Sequence, residues 1–70
     1  MSRILIIDDE KNIRRTFGMV LKSEGFEVAE AASGEEGLEA WRADGADVVI
    51  LDVRLPGKDG LEILREMRAE

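Results

Sequence analysis

Residues 48–60 read VVILDVRLPGKDG. Four β-forming apolar residues, Val48 to Leu51, run straight into Asp52, and a segment rich in turn formers (Pro56, Gly57, Asp59, Gly60) follows before apolar residues resume at Leu61. A short continuous apolar run bounded by turn signals fits a strand buried on both faces, as inside a parallel sheet. Folding gives the carboxylate at its end no obvious job. The next helix begins eight residues later, too far away for Asp52 to cap it.

The rest of the chain repeats that unit. RILII (3–7) is a second continuous apolar run, followed by Asp8-Asp9-Glu10. From Lys11 to Glu24, the residues Ile13, Phe17, Val20 and Leu21 recur at helical spacing, and Gly25 supplies a stop. FEVAEA (26–31) alternates apolar and polar, the mark of a half-exposed strand near a sheet edge. Ser33 and Glu36 form a capping-box pair that opens a helix over 34–44, with Leu38 and Trp41 on one side and Asp44-Gly45 at its end. The opening stretch becomes a third strand over 47–51. A last helix over 60–69 is expected to be capped by Asp59, with Leu61, Leu64 and Met67 at helical spacing. Phe17 and Trp41 are expected in the core.

Strands alternating with helices predict an α/β fold with a three-layer parallel sheet. The continuous first and third runs belong at the centre and the alternating second at the edge, giving the order 2-1-3. Right-handed crossovers then put the first helix on one face and the other two on the opposite face. In such open sheets the ligand crevice forms at the carboxyl ends of the strands where the winding reverses, here between the first and third.

Composition narrows the chemistry. The chain has 70 residues, no cysteine and no histidine, and a formal net charge of −6. It reads as one domain over 1–70. Disulfides, thiolate metal sites and imidazole bases are excluded. No run of Lys and Arg forms a phosphate-binding patch, so direct nucleic-acid binding is not expected. No apolar run approaches the roughly 20 residues of a membrane span, and the N-terminus lacks the features of a signal peptide. A soluble, cytoplasmic protein is the expectation.

With the order 2-1-3, Asp8, Asp9 and Asp52 converge at the crevice. Carboxylates that close must take up protons or share a cation. An all-oxygen donor set with few protein ligands suits Mg²⁺. Taken singly, each acid has a plainer role: Glu10, Asp59 and one of Asp8 or Asp9 could serve as helix caps or partners of the helix dipole. That explanation fits Asp52 poorly.

The combination of an acidic pair after the first strand, a lone Asp ending the third, and x-x-L-P-G-x-D-G before a helix resembles the receiver domain of two-component response regulators. ILIIDDE and VVILDVRLPGKDG are similar to that family's N-terminal signatures. DEKNIRR is similar to receivers that precede enhancer-binding (NtrC-type) transcription activators. The resemblance implies a CheY-like, flavodoxin-like fold and a signalling role rather than an enzyme's. It implies that a sensor histidine kinase transfers a phosphoryl group to Asp52. It also implies that Asp8, Asp9 and Asp52 hold Mg²⁺, joined by the backbone carbonyl of Arg54, whose side chain faces the reaction path.

A complete receiver has five βα units, and three are recognisable here. The Ser/Thr and Lys that such receivers carry on later strands have no counterpart, and Thr16, Arg54 and Lys58 do not substitute for them. A truncated half-domain leaves the outer edge of the third strand unpaired and the first-helix face partly bare. Self-association, as a homodimer or a swapped oligomer, is therefore expected. The alternative is an inactive structural fragment or minimised half-domain that self-associates through that edge. A phosphatase of the haloacid dehalogenase type would need D-x-D where the chain has D-D-E and D-x-R, and no glycine-rich nucleotide motif is present.

Overall fold

A computed structural model describes residues 2–52 and 60–69. The elements are β1 (Arg3–Ile7), α1 (Lys11–Ser23), β2 (Glu27–Ala31), α2 (Gly34–Asp44), β3 (Val48–Leu51) and α3 (Gly60–Ala69). Among the described residues the strands form one parallel sheet in the order β2-β1-β3, as the apolar patterning predicts. Three of the expectations, the Asp59 cap, the Pro56-Gly57 turn and the Arg54 carbonyl, concern positions outside the described residues.

Element boundaries follow from local hydrogen bonding. At the end of α1, Gly25 donates to the Lys22 carbonyl (3.0 Å) and Phe26 to the Leu21 carbonyl (3.1 Å), with Gly25 at φ 93°. This Schellman closure needs a left-handed residue, and it commits the Phe26 N–H to the helix, so β2 starts at Glu27 rather than at Phe26. At the start of β3, the Arg3 N–H donates to the Asp47 carboxylate (2.8 Å) instead of a backbone carbonyl. The regular ladder therefore begins one residue later, at Val48. Ser33 Oγ accepts from the Glu36 N–H (3.2 Å), as the capping pair requires, while the Glu36 carboxylate reaches back to the Ala32 N–H (2.9 Å).

Strand parity sorts the core into two faces. Leu5 and Ile7 on β1 and Ala31 on β2 pack with Leu38 of α2 and Ile63 of α3, and Trp41, Val49, Leu51 and Met67 lie against this cluster. The opposite face carries Ile4 and Ile6, both buried, and contacts α1. Three expectations are corrected here. β3 is not buried on both faces: Val48 is 50% and Ile50 37% exposed, because α1 packs over β1 and β2. Phe17 is 49% exposed, together with Ile13 and Val20, because the apolar stripe of α1 extends beyond what β1 and β2 can cover. On α3 the buried side chain is Ile63, not Leu61 or Leu64, both of which are exposed.

Candidate metal centre

The acidic site is a product of strand register. β1 and β3 run parallel with Ile7 beside Leu51. The ladder continues one step further, the Asp52 N–H donating to the Ile7 carbonyl (2.9 Å). On the other side of β1, the Asp8 N–H donates to the Ala31 carbonyl (3.1 Å). Asp8 and Asp52 thus leave adjacent strands at the same level, where strands stand about 4.8 Å apart.

Each of Asp8, Asp9 and Asp52 offers a carboxylate oxygen, and the three oxygens lie within 4.8 Å of one another. Asp8 and Asp52 are half-buried and Asp9 is exposed. The Asp8 carboxylate also accepts from the Glu10 N–H (2.9 Å), forming an Asx turn that leads into α1. Glu10 occupies the N-cap position without a side-chain capping bond, so the Asx turn serves the entry to the helix and leaves the acids clustered. The positive end of the α1 dipole lies next to this turn and favours negative charge there.

As a donor set, three carboxylates fit a hard divalent cation. All the ligands are oxygen, their number is small enough to leave places for water, and the chain contains no imidazole or thiolate to attract a softer metal. Mg²⁺ fits these residues.

Two residues near the site were not anticipated from sequence. Arg14 on α1 donates through Nη1 to the Asp8 carbonyl (2.8 Å) and through Nε to Glu30 Oε1 on β2 (3.1 Å). A signal for the pair did exist. Strand parity sets Glu30 on the same face of β2 as Val28, toward α1, where its carboxylate lies within reach of a cation on that helix.

A family model described as the response regulator receiver domain matches residues 4–70. Transcriptional regulatory protein AfsQ1 of Streptomyces coelicolor is 44% identical over 68 residues, covering 97% of this chain and 30% of the relative. The chain thus spans under a third of that relative's length. The response regulator protein TrrA of Thermotoga maritima, crystallised in complex with Mg(2+)-BeF, superposes with a TM-score of 0.93 at 45% identity, covering 99% of this chain and 60% of that one. A structure of histidine kinase ThkA in complex with TrrA matches with a TM-score of 0.93 at 44% identity, covering 100% of this chain and 60% of that one. Among the described residues, no helix is long and apolar enough to cross a membrane.

Proposed function

This chain belongs to the response regulator receiver domain family, and on that premise we propose that it is a phosphoacceptor module, modified on Asp52 by a sensor histidine kinase and dependent on Mg²⁺ held by Asp8, Asp9 and Asp52. The observation that carries the proposal is the clustering of those three carboxylates within 4.8 Å at the carboxyl ends of β1 and β3. Arg54, outside the described residues, is assigned the backbone carbonyl that completes the protein ligands. The crystallisation of TrrA with Mg(2+)-BeF and with ThkA supports the choice of cation and of partner.

In the transfer, a carboxylate oxygen of Asp52 forms a bond to phosphorus as the phosphorus–nitrogen bond to the kinase histidine breaks. The imidazole nitrogen keeps the electron pair, and Asp52 becomes an acyl phosphate. Mg²⁺, when bound, offsets the negative charge on both the carboxylate and the incoming phosphoryl group. Asp8 and Asp9 supply the anionic walls that retain the cation, and the Asx turn from Asp8 to Glu10 keeps them facing Asp52. The role is that of a signalling receiver in the cytoplasm, upstream of transcription regulation. The chain turns over no external substrate.

The same module self-associates. Val48 and Ile50 on β3, Ile13 and Phe17 on α1, and Leu61 and Leu64 on α3 are exposed, and among the described residues no strand pairs with the outer edge of β3. The 70-residue chain joins a second copy through these surfaces. A chain that associates without accepting a phosphoryl group would be an inactive half-domain, and labelling separates the two. Incubation with a small-molecule phosphodonor and Mg²⁺ is expected to label the wild type and not Asp52→Asn. A label that persists in Asp52→Asn refutes Asp52 as the acceptor, and a wild type that takes none supports the inactive scaffold.

A further inference from the structure

We propose that Arg14 is a positioning residue for the acidic site, fixing the peptide that carries Asp8 and Asp9 by clamping it to β2. The inference rests on the Mg²⁺-binding function proposed above. Arg14 is largely buried, its side chain 14% exposed, and its planar guanidinium makes two bonds in different directions. Nη1 donates to the Asp8 carbonyl at 2.8 Å, and Nε donates to Glu30 Oε1 at 3.1 Å.

The anchor at Glu30 is itself accommodated by the fold. Glu30 projects under α1, where Gly18 is buried, and a Cβ at position 18 would lie 3.3 Å from Glu30 Oε2 and 3.8 Å from Val28 Cγ1. The missing side chain at Gly18 leaves room for a carboxylate beneath the helix. That carboxylate holds Arg14, and Arg14 holds the carbonyl of the first acid. The fork geometry matters, because one guanidinium can satisfy two acceptors at fixed angles whereas an ammonium acts as a point charge.

The arrangement gives Arg14 two opposite influences on a bound cation. As a positive charge beside clustered carboxylates, it disfavours Mg²⁺. As the brace of the Asp8 peptide, it favours Mg²⁺ by holding the donors in place, and residues that orient metal ligands commonly change affinity about tenfold or more when removed. The proposal is that bracing outweighs repulsion. The two influences predict opposite signs.

The test is Mg²⁺ affinity, followed by amide NMR of the 70-residue chain, for wild type, Arg14→Met and Arg14→Lys, together with hydrogen exchange of the Glu10 amide in the metal-free protein. Arg14→Met is expected to weaken Mg²⁺ binding about tenfold and to speed exchange at Glu10, whose N–H is held by Asp8. Arg14→Lys, which keeps the charge and loses the fork, is expected to weaken binding as well. Unchanged or tighter binding by Arg14→Met overturns the inference. Where Arg14→Met does not fold, Arg14→Lys decides: weaker binding supports the brace, and wild-type affinity overturns it. A wild-type chain that takes up no Mg²⁺ overturns both the proposed function and this inference. Binding by wild type that the Arg14 variants match overturns the inference alone.

Discussion

Ile6 on β1 and Ile50 on β3 are register partners on the same face of the sheet, yet Ile6 is 1% exposed and Ile50 is 37% exposed. Their neighbours repeat the contrast, with Ile4 at 5% and Val48 at 50%. Cover on this face therefore ends between two adjacent strands. α1 lies over β1 and β2 and leaves β3 bare. Exposed apolar groups beside an open strand edge are a standing invitation to association. Sedimentation at micromolar concentration is expected to show concentration-dependent self-association, and Ile50→Lys to shift the chain toward monomer. A wild-type chain that stays monomeric would rule out the proposed self-association.

Helix and sheet meet closely at Gly37. A Cβ added there would meet Ile7 Cδ1, and would come within 2.7 Å of Ile7 Cγ1. Replacing a mid-helix glycine by alanine ordinarily stabilises by about 1 kcal/mol. Here Ile7 is fully buried and has nowhere to move, so overpacking by about 1–3 kcal/mol is expected to outweigh that gain. Urea denaturation of Gly37→Ala should give a lower midpoint than wild type. A higher one would mean that the core yields more readily than its packing indicates.

Gly45 is the complementary case. Its φ is 72°, and a Cβ added to it would have no atom within 4 Å. Alanine there meets no steric obstacle from the rest of the chain and suffers only from the backbone, whose φ of 72° and ψ of −178° are adopted almost solely by glycine, a cost of about 1–3 kcal/mol. The loss should appear in urea denaturation with no change in chemical shifts beyond the end of α2.

The two sides of α3 give the sharpest stability contrast. Ile63 is completely buried against Leu5, Ile7 and Leu38, whereas Leu61 is exposed. Ile63→Ala is expected to cost about 2–5 kcal/mol, enough to unfold most of so small a domain. Leu61→Ala, compared at a concentration where the chain is monomeric, should stay within about 0.5 kcal/mol of wild type. Circular dichroism melts of the pair would reveal a reversed helix face at once.

The α3 contrast also marks how far the sequence could be read. Periodicity located α3 but could not say which of its apolar residues turn inward, because Leu61, Ile63, Leu64 and Met67 together cover more of the helix than one contact face. Phe17 misled for a related reason. An amphipathic stripe indicates a surface that tends to be buried, and whether anything covers it depends on elements beyond the helix. The strand order was legible because continuous and alternating apolar runs differ in kind. So was the meeting of Asp8, Asp9 and Asp52, since parallel register fixes which strand ends lie side by side. The bond from Arg14 to the Asp8 carbonyl was not legible. Backbone acceptors leave no trace in the identity of a side chain, and only the parity of Glu30, which turns it toward α1, pointed to a cation on that helix.

The most direct measurement is a Mg²⁺ titration of wild type and Asp52→Asn, followed at the amides of Asp8, Asp9, Glu10 and Asp52. If the three acids share one cation, millimolar Mg²⁺ should shift all four amides in the wild type along a single binding curve, and removing one carboxylate should weaken that curve at the other sites together. Amides that stay in place, or that titrate with separate affinities unaffected by Asp52→Asn, would contradict a shared site.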